Sequence, residues 1–223
     1  MSDLRWVRLA AVAGVVFAVL IVVQGPVLGS GTPQLTDSAQ KVFSYFGTHH
    51  SRIKLSAALY ALAMAAVLFW LPGLYGVLRR AVSGYCGLAV SAGAGIVLAA
   101  AMTVATAAIR ATLACRVDEL GPSLARVFYT LQLFTQGGIL VGLLVAIGST
   151  AAVSLQTGLY GRWFGLLSLA LAIASLLGVS SLAYANNTAQ TLGGVMLSLD
   201  TLWILLISIL LLRKPQLALP QPT

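Results

Sequence analysis

Asp200 places a carboxyl group near the middle of a long, mostly apolar run from Leu192 to Leu212, and it is the only acid inside any of the chain's hydrophobic stretches. An ionised acid at mid-bilayer costs roughly 2.5–3.5 kcal/mol or more, so such residues usually carry function. At helical spacing Asp200 shares a face with Gly193, Met196, Leu197, Trp203, Ile204 and Ile207. A carboxylic acid in a dry pocket beside an indole is equipped to donate a proton and to stabilise the cation that results. The competing reading is a structural acid, hydrogen-bonded to another helix or to hydroxyls such as Ser198 and Thr201.

The other polar residues have simpler readings beside any chemical one. Asp37, with Gln40 three residues on, reads as a helix-capping box, with a catalytic role as its alternative. Asp118-Glu119 is an adjacent pair in a polar loop, suited to solvation or to pairing with Arg116 or Arg110. His49-His50 precede Arg52 and Lys54 and suit a surface or headgroup role. Trp203, Trp70, Tyr60 and Tyr184, with Phe43 and Phe46, are the candidates for lining an apolar substrate chamber. Each π face there would stabilise a cation by roughly 0.5–2 kcal/mol, although core packing is the favoured reading for any one of them. Trp6 and Trp163 sit beside arginines at the ends of apolar runs, as in an interfacial belt. No HExxH, CxxC pair, Walker loop, GxSxG or DDxxD pattern occurs, so no metal site and no cofactor are expected.

These residues must be positioned by membrane helices. Of the 223 residues, 59% are hydrophobic and 8% charged, and the mean hydropathy is +0.97; soluble domains average about 25% charged residues. Six segments, near 5–24, 54–78, 84–109, 126–150, 162–184 and 190–212, approach the ~20 residues a spanning helix needs. The expected fold is an all-α integral membrane bundle of six transmembrane helices, forming a single domain over 1–223. The net charge of +8 gathers at the ends of these runs, the pattern of membrane anchors and not of a nucleic-acid face. Arg5, Arg8, Arg79, Arg80, Arg162, Arg213 and Lys214 lie in short connections and place both termini inside. The first outer loop carries Leu35, Ala39, Val42, Phe43 and Phe46 at helical spacing, an amphipathic helix over 37–47 at the membrane surface or over the bundle mouth. Gly87, Ser91 and Gly95, then Gly138, Gly142 and Ala146, form small-residue ridges that let helices approach closely. Cys86 and Cys115 fall a span apart, so no disulfide is implied.

His49-His50-Ser51-Arg52, then Phe69-Trp70-Leu71-Pro72-Gly73-Leu74-Tyr75 running to Arg79-Arg80, and Arg162-Trp163-Phe164-Gly165 resemble a broad set of small actinobacterial integral membrane proteins. Within that type, the chain is similar in size and span count to bacterial membrane-bound terpene cyclases of indole and diketopiperazine sesquiterpenoid pathways. The resemblance implies protonation of a terminal alkene or epoxide on a farnesyl chain, then ring closure without metal. Its motifs mark helix ends, so the site residues come from this chain's own pattern, with Asp200 or Asp37 as the proton donor. Two other classes stay open: an accessory membrane protein using Asp200 to pair with a partner, and a small-molecule or proton-coupled transporter. The partners expected are the bilayer and a hydrophobic small molecule, with homo-oligomerisation open and no nucleic acid.

Overall fold

The computed structural model describes residues 3–28, 31–82, 87–180 and 186–213. Every regular element among them is an α-helix: α1 (Asp3–Leu28), α2 (Ala39–Thr48), α3 (His50–Ala81), α4 (Gly87–Thr157), α5 (Arg162–Ser180) and α6 (Asn187–Arg213). All except α2 are long and apolar enough to cross a membrane. Tyr184, Cys86 and Lys214 lie outside the described residues.

A straight helix of 71 residues, the length of α4, would extend about 105 Å, more than three times a ~30 Å hydrocarbon core. It folds back instead. Arg116 (φ −128°, ψ 16°) and Gly121 (φ 68°, ψ 172°) leave helical geometry, and Pro122 follows. Gly121 adopts a backbone conformation open essentially to glycine alone. The two arms, 87–115 and 122–157, then pack antiparallel. Gly95 meets Gly142 and Ala146, Met102 meets Gly138, and the Thr106 and Thr135 hydroxyls lie 2.7 Å apart. These pairs are symmetric about residues 120–121, where the chain turns. A Cβ on Gly95 would strike the Gly142 carbonyl, and a Cβ on Gly142 the Gly95 carbonyl. The small-residue ridges are therefore the contact line of this hairpin.

The segment 110–125 differs from the polar loop expected of it. It is helical apart from its two interruptions, because Leu113, Ala114, Val117 and Ala125 bury one side of it. What covers them is α2, whose Val42, Tyr45 and Phe46 pack on that turn and on Tyr129 and Leu133. The start of α2 also differs by one residue. Ser38, not Asp37, is the N-cap, its side chain accepting from the Lys41 amide. Asp37 holds the preceding turn, accepting from the Gln34 amide at 2.7 Å and from Lys41 Nζ at 2.9 Å. The strand of loop before α2 is fastened to α6: the Leu35 amide donates to Gln190 Oε1 at 2.9 Å, and Asn187 Nδ2 donates to Gln34 Oε1 at 2.7 Å.

α1 packs against α3 and α6, with Gly73 facing Ala10 and Gly14 fitting beneath Trp70 and Ser208. Leu9, Val16 and Val22 of α1, Leu62 and Phe69 of α3, Leu166 and Ile173 of α5 and Leu202 of α6 point outward and are exposed. Soluble proteins seldom expose contiguous apolar surface on this scale, whereas a bilayer covers it. Arg5, Arg8, Arg79, Arg80, Arg162 and Arg213 stand at the end opposite α2.

The hairpin contact predicts opposite behaviour for two glycines. Gly142→Val should lower the thermal midpoint in detergent, since forced overpacking costs about 1–3 kcal/mol. Gly76→Ala, where nothing lies within 4 Å of the added carbon, should leave the midpoint unchanged or raise it. Equal midpoints for Gly142→Val and wild type would refute the close crossing.

Candidate functional site

α6 carries Asp200 into the bundle interior, where it is 0% exposed. Ser175 Oγ of α5 donates to Asp200 Oδ1 at 3.1 Å. The second oxygen, Oδ2, is buried without a hydrogen-bond partner. One turn further along α6, Trp203 Nε1 donates to Ser168 Oγ at 2.9 Å. Its indole stacks on Phe164, with centroids 6.5 Å apart and ring planes 17° apart. Asp200 and Trp203 thus share one face of α6, and Ser168 and Ser175 one face of α5. The two hydrogen bonds are consecutive rungs between antiparallel helices. A carboxyl oxygen left unsatisfied in such a place costs about 1–3 kcal/mol or more, and Asp200 is the one acid among the buried, unpartnered side chains of the described residues.

Ser198 and Thr201, proposed as partners for the acid from the sequence, turn back to their own helix. Ser198 Oγ donates to the Gly194 carbonyl and Thr201 Oγ1 to that of Leu197. The working partners, Ser175 and Ser168, escaped the sequence reading. Their seven-residue spacing on an apolar helix is the signal that marks them.

The remaining candidates do not converge on Asp200. Asp37 sits beside Gln34, whose side chain bonds Asn187 at the start of α6. Asp200 is thirteen residues further along that helix, about 20 Å at 1.5 Å per residue. The two carboxyls therefore occupy different sites. Trp70 belongs to the same buried cluster as Trp203, but its indole nitrogen lies near Gly14 and has no hydrogen-bond partner. Phe46 is buried against Tyr45 and Tyr129 beneath α2, with Phe43 packed at the edge of that cluster. Tyr60 lies under the Arg110 guanidinium, 4.8 Å from ring centroid to carbon. Of the adjacent acids at the α4 turn, Glu119 pairs with Arg116. His49 stacks on Tyr45 at 4.7 Å, and its Nδ1 lies 3.1 Å from the Tyr45 carbonyl oxygen.

An apolar pocket opens between α4 and α6 at the α2 end, lined in part by Leu35, Gln136, Leu140, Asn186, Gln190 and Gly193. Leu140, on its wall, and Met196 both approach Gly178 of α5, and Met196 lies one turn of α6 before Asp200. Methionine is unbranched and adapts readily to a changing space.

No family model matches the chain, and neither does a curated protein or a solved structure.

The hydrogen bond from Lys41, then that from the Gln34 amide, hold the Asp37 carboxyl below its ordinary value of 3.8. A depressed carboxylate stabilises the fold above its unfolded pKa and loses that contribution as pH falls through the folded one. For this surface pair the contribution is about 0–1 kcal/mol. Lys41→Met should therefore raise the NMR titration midpoint of Asp37 while changing stability little. An unchanged midpoint would contradict the pairing.

Proposed function

We propose that the chain is a membrane-bound, metal-independent cyclase, acting on a farnesyl chain attached to an aromatic or diketopiperazine head. In this reading six helical segments cross the bilayer, the arms of α4 counting separately, with both termini inside. The observation that carries the proposal is the wholly buried Asp200 carboxyl. One of its oxygens is held by Ser175 and the other lacks a hydrogen-bond partner, and Trp203, stacked on Phe164, stands one turn further along α6.

The chemistry needs no co-reactant. Asp200 gives its proton to the terminal alkene carbon, or to the oxygen of a terminal epoxide. The resulting tertiary cation accepts the π electrons of the next double bond, which closes the ring. Loss of a proton from a neighbouring carbon then completes an isomer of the substrate and restores the acid. The Trp203 indole, one turn of α6 from the acid, is the aromatic group that would stabilise the positive charge, by roughly 0.5–2 kcal/mol. Ser175 positions the carboxyl. Substrate reaches it through the α4–α6 pocket as Met196 swings aside.

Two features weigh against the other classes. An accessory role would use an acid on the lipid face, and Asp200 is 0% exposed. A carrier would use broken helices at the acid's depth, and the backbone interruptions at Arg116 and Gly121 stand at the bundle end.

The test is product analysis by mass spectrometry and NMR, with purified protein and farnesylated indole or diketopiperazine, each with and without a terminal epoxide. Cyclic isomers are expected. Asp200→Asn should lower their formation at least about 100-fold, the usual range for a general acid, at an unchanged thermal midpoint. Ser175→Ala should cost about two- to tenfold, the worth of one hydrogen bond. Undiminished turnover in Asp200→Asn would refute the assignment of the acid, and no conversion of all four substrates would favour the accessory and carrier readings.

A further inference from the structure

Arg110, near the turn of α4, is only 6% exposed. A guanidinium is permanently charged and carries five N–H donors. Here one of them reaches Ser56 Oγ, at 3.3 Å, an oxygen already accepting from Gln24 Nε2 at 2.9 Å. Tyr60 covers one face of the cation. No carboxylate among the described side chains pairs with it: Asp37 holds Lys41, Glu119 holds Arg116, Asp200 accepts from Ser175, and Asp118 is exposed and forms no ion pair. A buried cation lacking a counter-charge is strongly destabilising unless something completes it.

The space beside Arg110 is shaped for that completion. Beneath α2, a small cavity is lined by Arg110, Thr32, Phe46, Ile53, Tyr129 and Gln132, with Tyr45 at its edge. Gln132 is 3% exposed, and its Oε1 lacks a hydrogen-bond partner. Amide oxygen and nitrogen are interchangeable by a flip of the side chain, so Gln132 is able to turn its two N–H donors toward an anion. The cavity is small, about 20 Å³, little more than the space of one water and less than a phosphate group fills. We propose that this cavity binds a small monoanion on Arg110 and Gln132, either a free halide or the carboxylate head of an amphiphile. The planar guanidinium fork matches a carboxylate in two-point fashion, and the α2 end of the bundle is where such a head would lie. Bound there, the anion neutralises Arg110 and ties α2, α3 and both arms of α4 together. The site is separate from Asp200 and stands whether or not the chain is a cyclase.

The test uses the full chain in a neutral detergent at constant ionic strength, with sulfate as background. Bromide, acetate, laurate below its micellar concentration and phosphate are titrated while the thermal midpoint is followed. The expected result is a saturable rise of several degrees with a monoanion and none with phosphate. A response to bromide identifies a free ion, and a response to laurate at far lower concentration than acetate identifies an amphiphile head. Arg110→Gln should abolish the rise, and Gln132→Leu, which keeps the cation, should weaken it several-fold. Bromide anomalous scattering from crystals should place the ion within hydrogen-bonding reach of the Arg110 guanidinium, a readout that does not depend on the variant folding. No saturable response to any monoanion, an equal response in folded Arg110→Gln, or bromide absent from Arg110 would overturn the site and leave water as the guanidinium's partner.

Discussion

A polar side chain that cannot reach water has to be satisfied inside the bundle, and the arrangement of these helices depends on where that happens. In a hydrocarbon surrounding, the helical backbone satisfies its own amides, so side chains determine which helices touch and at what register. Ser168 and Ser175 meet Trp203 and Asp200 between α5 and α6. Thr106 meets Thr135 between the arms of α4. Gln24, Ser56 and Arg110 join α1, α3 and α4. Gln190 reaches Tyr129 and the Pro33 carbonyl, fastening the loop before α2 across the α4 and α6 ends. Close glycine contacts shorten the distances over which such short side chains have to reach.

Among the described residues several buried polar atoms stay unpaired, those of Trp70, Gln132, Ser154, Tyr160 and Asp200, and two of these places involve an ionisable group: Asp200 itself, and Gln132 beside Arg110. Most buried polar groups in folded proteins find a partner. Asp200 Oδ2 does not, and Arg110 has a hydrogen bond to Ser56 but no carboxylate partner among the described residues. One is a wholly buried acid near mid-helix. The other is a cation under an amphipathic cover at the bundle end. Their different chemistry and separate locations fit the two proposals made for them, proton delivery by an acid and retention of an anion by a cation.

The long apolar helices were legible in the sequence because their lengths and composition leave little alternative. So was α2, whose apolar residues recur at helical spacing. Its cap was not, since Asp37 and Ser38 are adjacent and both suit the position; only the turn with Gln34 decides between them. The continuation of α4 through 110–125 was hidden by the charges of Arg116, Asp118 and Glu119, which lie on the exposed side while Leu113, Ala114 and Val117 bury the other. Asp200 and Trp203 were legible as a pair three residues apart. Their serine partners were not, because helix pairing and register are properties of tertiary packing. For the same reason Phe43, Phe46, Tyr60 and Trp70 read as one aromatic lining, whereas packing distributes them among separate clusters.

The account's central claim is that Asp200 supplies the proton that starts ring closure. The most direct measurement is turnover of a terminal-alkene substrate in heavy water. The account predicts a cyclic product carrying one deuterium at the carbon that was protonated, with that labelled product missing when Asp200 is replaced by Asn. A cyclic product free of deuterium, or one labelled equally in the variant, would contradict it.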